Sequence, residues 1–112
     1  MTHAIVHQYK TEIFMKKEQS IRKKIEQIKQ QIANLGDMRP GSLTRQTRSW
    51  GKEYWQLSYT HRARGRTGYI SNENYERVKM QTENYRRFKE WSIELVDLSL
   101  ELAKLTDKET GV

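Results

Sequence analysis

The 112-residue chain has no cysteine, a single proline and no long apolar run. Without cysteine it can form neither a disulfide framework nor a zinc site built from thiolates. No stretch approaches the ~18 apolar residues that a membrane-spanning helix needs, and the first 15 residues lack the apolar centre of a secretory signal. We therefore expect a cytoplasmic protein that does not enter a membrane.

Hydrophobic residues are also scarce, at 35% of the chain, whereas charged residues reach 31%. A chain of this length and composition forms one domain at most, here residues 1–112, and can bury only a thin core. Long helices that pair along a narrow apolar stripe suit such a composition. A second copy of the chain would cover apolar surface that a single copy leaves exposed.

Two apolar stripes predict two long helices, over residues 4–35 and 72–106, with Gly36 and Pro40 ending the first. In both stripes the apolar residues are spaced alternately three and four positions apart, as at the a and d positions of a coiled coil. One step in the first stripe is seven residues long. The first stripe is Phe14, Ile21, Ile25, Ile28, Ile32 and Leu35. The second is Phe88, Trp91, Leu95, Leu98, Leu102 and Leu105.

The segment between the helices, residues 39–70, has the period of two that is typical of β-strands. Trp55, Leu57 and Tyr59 alternate with more polar neighbours, so we expect these three side chains to face the core. Turns are expected at residues 51–52 and 63–65. The segment is therefore predicted to be a small three-stranded antiparallel sheet.

Together these patterns predict an α+β fold. Two long helices would form an antiparallel coiled-coil hairpin, the sheet would lie at its tip, and residues 107–112 would be a polar tail. Because a two-helix hairpin buries little surface, we expect a homodimer. Four apolar side chains off the main stripes are candidates for the contact: Tyr9, Ile13, Ile93 and Val96.

Most of the net charge of +7 lies in the predicted sheet segment. Residues 39–70 contain seven basic side chains and one acidic side chain, with five Trp and Tyr residues among them. Basic groups contact phosphates and aromatic rings stack on bases, so DNA or RNA is the expected partner. The residues predicted to bind it are Arg45, Arg48, Lys52, Tyr54, Arg62, Arg64 and Arg66.

Catalysis is not expected, because no phosphate-binding glycine loop, nucleophile elbow or carboxylate cluster is present. His3 and His7 are one helical turn apart, but no further ligands accompany them, so we predict neither a metal nor a cofactor. The basic run Arg22-Lys23-Lys24 is balanced by nearby acids and is interpreted as a solvated helix face.

Two other hypotheses remain open from the sequence. The basic segment could dock on an acidic protein surface, for instance that of a nucleic-acid enzyme, which would make the chain an interaction adaptor or inhibitor. Alternatively the chain could be a structural coiled-coil oligomer, although that hypothesis leaves the concentration of charge unexplained.

Four blocks of sequence resemble a bacterial domain of unknown function found in short proteins, some of them linked to transposons. The blocks are MRPGSLTRQ (38–46), YWQLSYTHR (54–62), RTGYI (66–70) and ENYRRFKEW (83–91). Many members of that family carry a cysteine knuckle before the QLSY strand. This chain has Trp50-Gly51-Lys52-Glu53 there and resembles the cysteine-free members. The family has no established activity, but its association with mobile elements fits DNA or RNA as the partner, and hence the hypothesis of an accessory protein of a mobile element or phage.

Overall fold

The computed structural model describes the backbone of residues 2–109 and the side chains of residues 12–108. Its elements are α1 (Thr2–Ala33), β1 (Ser42–Thr47), β2 (Glu53–His61), β3 (Arg64–Ile70) and α2 (Tyr75–Glu109). The strands form one antiparallel sheet in the order β1-β2-β3. The predicted α+β class and the three-stranded sheet are confirmed. Between residues 2 and 109, neither helix is apolar enough along its length to cross a membrane.

The chain divides into two compact units. The helical unit consists of residues up to Asn34 and residues from Trp91 onward, and therefore contains α1 and the second half of α2. The sheet unit is Leu35–Glu90 and contains the three strands and the first half of α2. The charge-rich segment thus belongs to a unit with its own packing.

The core of the helical unit is built from the two predicted apolar stripes. Ile21 and Ile25 on α1 are buried with Leu105 on α2. Four partly buried side chains pack against this cluster: Phe14, Leu95, Leu98 and Leu102. The helical periodicity therefore identified the buried faces correctly. The antiparallel coiled coil and the dimer stay predictions.

The helix ends differ from the expected positions by two or three residues. At the end of α1, the Asn34 amide donates to the Gln30 carbonyl at 3.0 Å. Gly36 does not adopt the left-handed conformation expected of a helix-ending glycine. The first α2 bond runs from the Val78 amide to the Asn74 carbonyl at 2.9 Å, so the helix begins just after Asn74 rather than at 72.

α2 continues to Glu109, three residues beyond the helix end predicted at 106. This extension follows from the helix-compatible residues Asp107, Lys108 and Glu109, none of which is a glycine or proline. Residues 110–112 lie outside the described residues. The side chains of His3, His7 and Tyr9 also lie outside them, as does any site or contact predicted there.

β2 and the first half of α2 supply the buried apolar side chains of the sheet unit. Leu57 and Val78 are buried, and the Trp55 and Tyr75 rings stack with 4.3 Å between their centroids. Gly41 lies against Leu57 so closely that a Cβ atom there would be 2.5 Å from Leu57 Cδ1. Its φ of +140° is also one that other residues rarely adopt. Gly41 is thus required where the chain enters β1.

Candidate nucleic-acid interface

The strand register divides the sheet into two chemically different faces, because successive side chains on a strand point to opposite sides. The charged face carries Leu43, Arg45, Thr47, Glu53, Trp55, Leu57, Tyr59, His61, Arg64, Arg66 and Ile70. The neutral face carries Ser42, Thr44, Gln46, Tyr54, Gln56, Ser58, Thr60, Thr67 and Tyr69. The apolar core and the arginines of the strands therefore lie on the same face. The predicted inward set of Trp55, Leu57 and Tyr59 lies on one face, as expected.

Arg45 is partly neutralised on the charged face. It pairs with Glu53, the one acid in residues 39–70, and its guanidinium carbon lies 5.5 Å from the centroid of the Trp55 ring. Both contacts orient the guanidinium along the sheet. Arg45 is therefore less available to a phosphate than the other predicted basic residues.

The loop between β1 and β2 brings cations and aromatic rings together. The Arg48 amide donates to the Lys52 carbonyl at 2.8 Å, which closes the loop, and Gly51 has a φ of +85°. The Arg48 guanidinium carbon lies 4.7 Å from the centroid of Tyr54 and 5.4 Å from that of Trp50. We call Arg48, Trp50, Lys52 and Tyr54 the loop cluster. The predicted turn at 51–52 lies within this loop.

The connection between β2 and β3 is a two-residue turn at Arg62-Ala63, not at 63–65 as the glycine had suggested. Arg62 and Ala63 have φ values of 51° and 63°, and His61 pairs directly with Arg64. Positive φ at both central residues is the geometry that matches the twist of paired strands. Gly65 instead lies in β3, where it pairs with Thr60.

This turn exposes a second group of cations, the turn cluster, which consists of Arg62, Arg64 and Arg66. The three side chains line a cleft of about 480 Å³ with Tyr59 and His61. An adjoining cleft of about 500 Å³ adds Arg39. Within the described part of the chain, no carboxylate forms an ion pair with the three arginines of the turn cluster.

The seven residues predicted to bind nucleic acid thus form two groups rather than one. Arg48, Lys52 and Tyr54 lie at the start of β2, with Arg45 nearby on β1, whereas the turn cluster lies at its end. Nine residues of extended strand separate the two ends by about 26 Å. Trp50, Tyr69 and Arg39 were missing from the predicted set. The aromatic content of residues 39–70 drew attention to Trp50 and Tyr69. The strand register is needed to show which face of the sheet carries Tyr69.

The basic run of α1 behaves as a solvated face. Arg22 pairs with Glu18 one turn earlier at 3.0 Å, and Lys29 lies 3.7 Å from Glu26. All four side chains are at least partly exposed, so these pairs contribute little to stability.

No protein-family model, curated protein or solved structure matches the chain. The resemblance to the bacterial domain of unknown function therefore stays a prediction. Among the side chains of residues 12–108, no group of three or more His, Asp or Glu residues is arranged to hold a metal ion.

Proposed function

We propose that the protein is a non-catalytic nucleic-acid-binding accessory protein whose sheet unit binds DNA or RNA. The observation that carries this proposal is the turn cluster, where three arginines project from one hairpin without a carboxylate partner among the described residues. Exposed guanidinium groups bind phosphate oxygens strongly and in two-pronged geometry. The assignment to a mobile element or phage rests on the sequence resemblance alone.

The loop cluster supports the same proposal from the other end of β2. Lys52 supplies a further exposed cation, and Arg48 lies over two aromatic rings. Cations at both ends of a strand about 26 Å long can follow the backbone of one bound nucleic acid. In this arrangement the cations set affinity and position without reading sequence.

The proposal is tested by fluorescence anisotropy with labelled DNA and RNA strands and duplexes of about 30 nucleotides, at about 50 mM and about 200 mM salt. The decisive variant is the triple substitution Arg62→Ala, Arg64→Ala and Arg66→Ala. We expect weaker binding. The slope of log K against log salt should become shallower by about 0.7 to 0.9 for each phosphate that the variant no longer neutralises.

A matched control removes three charges elsewhere. Lys17, Lys24 and Lys104 line a groove of the helical unit, and their combined replacement by alanine changes the net charge equally. The control protein should bind almost as the wild type does. If the control loses affinity and the arginine variant does not, the helical unit is the binding site. If the wild type binds none of the four nucleic acids, the adaptor hypothesis replaces this proposal, and a nuclease-treated pull-down would seek the acidic protein.

The dimer and the antiparallel coiled-coil hairpin are also part of the proposal. Ile93, Val96 and Leu100 are each more than half exposed on α2, and their spacing places them on one side of the helix. Ile13 on α1 is half exposed as well. A contiguous apolar surface of this kind is typical of protein contacts. A second copy would also double the cationic sites and raise the overall affinity.

Sedimentation equilibrium tests the dimer. The wild type should have twice the 13.5 kDa mass of the chain, and the variant Ile93→Glu with Leu100→Glu should be monomeric. Met80, which is similarly exposed in the sheet unit, provides the control Met80→Glu, and that protein should stay dimeric. If the wild-type protein is monomeric at about 100 µM, the proposed dimer is wrong.

A further inference from the structure

The neutral face of the sheet has a composition that phosphate contacts do not explain. The register places no charged strand residue on it, and its side chains are hydroxyls, amides and two tyrosine rings. None of these side chains is buried. Such groups donate and accept hydrogen bonds without contributing a charge.

The two aromatic rings on this face are close together, and Tyr69 is exposed whereas Tyr54 is partly buried. Tyr69 is 63% exposed, and its ring centroid lies 6.2 Å from that of Tyr54, with an angle of 40° between the planes. Trp50, in the adjoining loop, is 69% exposed. The Arg48 guanidinium lies over both Trp50 and Tyr54, so one planar cation adjoins both rings.

We infer that the neutral face binds single-stranded nucleic acid by stacking unpaired bases on Tyr69, Tyr54, Trp50 and the guanidinium of Arg48. This inference rests on the proposed function and names its substrate class. Aromatic rings and arginine planes are the groups on which proteins stack exposed bases. Gln56 pairs with Tyr69 across the sheet, so its amide lies beside the stacked row and can meet the edge of a base.

A duplex does not offer what this face can bind. Its bases are stacked on one another and their pairing edges are occupied, so the duplex presents phosphates and groove edges. No strand residue on the neutral face supplies a cation for those phosphates. The loop cluster lies at one end of the face and Arg62 in the turn at the other, whereas Arg64 and Arg66 lie on the charged face. A single strand laid on the neutral face would place its bases on the rings at the start of β2 and its backbone beside the cations of the loop cluster.

The first experiment uses the wild-type protein alone. Anisotropy titrations compare a single strand, the duplex of the same length and an abasic single strand with the same number of phosphates. We expect the single strand to bind at least about tenfold more tightly than either of the others, because each stacked base contributes roughly a fivefold or larger factor. The abasic strand separates stacking from charge without any change to the protein.

The second experiment uses the variant Tyr54→Leu with Tyr69→Leu. We expect its Kd for the single strand to rise at least about tenfold. The slope of log K against log salt concentration should not change, because every cation that contacts phosphate is still present. Tyr85→Leu is the matched control, since it changes the same residue type within the sheet unit but on α2. That control should bind the single strand as the wild type does, and circular dichroism establishes that all variants are folded.

Three results would overturn the inference. Duplex binding as tight as single-strand binding, or full affinity for the abasic strand, would show that phosphates alone are recognised. Unchanged binding by the double tyrosine variant would remove the neutral face from the site. In each case the proposed function stands, because nucleic acid still binds. If the wild type binds no nucleic acid, the proposed function fails together with the inference.

Discussion

Asn84 Nδ2 on α2 donates a hydrogen bond to the backbone carbonyl of Asp37, with 2.9 Å between the two atoms. Asn84 is the buried polar side chain of the sheet unit, and a Cβ atom on Gly36 would lie 3.5 Å from the same nitrogen. The Arg39 amide also donates to the Gln81 carbonyl at 3.2 Å. The segment that leads into the sheet is therefore fixed along the first half of α2.

Replacing Asn84 by alanine should lower the free energy of unfolding by about 1–3 kcal/mol, because the Asp37 carbonyl would lose its side-chain donor and a small void would form where Asn84 is buried. Urea denaturation measures the change. Ser99 also donates to a backbone carbonyl, that of Leu95 at 2.8 Å, but it is exposed. The control Ser99→Ala should stay within about 0.5 kcal/mol of the wild type. Equal effects at the two positions would contradict the anchoring role of Asn84.

Gly41→Ala should destabilise the protein by about 2 kcal/mol or more. The new methyl group would meet Leu57 at 2.5 Å, in a backbone conformation that alanine rarely adopts. Gly68 provides the control, because a Cβ atom there has no heavy atom within 4 Å and its φ is not positive. Gly68→Ala should leave the melting temperature nearly unchanged or raise it slightly. If the Gly41→Ala protein has wild-type stability, residue 41 does not lie close enough to the Leu57 side chain to exclude a methyl group.

Ala63→Gly should stabilise the hairpin by about 1 kcal/mol. Ala63 has a φ of 63°, in the left-handed region where a Cβ atom is unfavourable, and a glycine at the second turn position removes that penalty. The same change at Ala103, which lies exposed within α2, should instead destabilise by about 1 kcal/mol. Thermal unfolding of the two variants should therefore shift in opposite directions. A lower melting temperature for both variants would show that Ala63 is not at a turn position with positive φ.

Glu53→Gln should increase the affinity for nucleic acid. Glu53 pairs with Arg45 and is the one acid of residues 39–70, so its neutralisation frees a guanidinium and removes repulsion of phosphate. The slope of log K against log salt concentration should become steeper by up to about 0.9. Glu26→Gln changes the net charge equally on α1, where Glu26 pairs with Lys29, and should have little effect. Equal gains in both variants would indicate an effect of net charge rather than of this site.

The sequence was sufficient for features that are local. Isoleucines and leucines at steps of three and four predicted both helices and their buried faces, because a helical period repeats within one element. Alternation around Leu57 predicted β2 for the same reason. The turn predicted at 63–65 lies at Arg62-Ala63 instead, because the pairing of His61 with Arg64 sets its position.

Features that depend on distant residues could not be predicted. The division of the seven predicted residues between the two ends of β2 follows from which strand pairs with which, and in what register. The role of Asn84 depends on a carbonyl 47 positions away in the sequence. The neutral face emerges only when three strands are aligned, since no single strand contains enough of it to be recognised.

The central claim is that the sheet unit, rather than the helical unit, binds nucleic acid. Backbone amide chemical shifts measured by NMR during titration with a single-stranded oligonucleotide test it most directly, because every non-proline residue is observed separately. We expect the largest shifts in residues 42–69, at the loop cluster, the neutral face and the turn cluster. Shifts confined to residues 12–33 and 91–108, or no shifts at all, would contradict it.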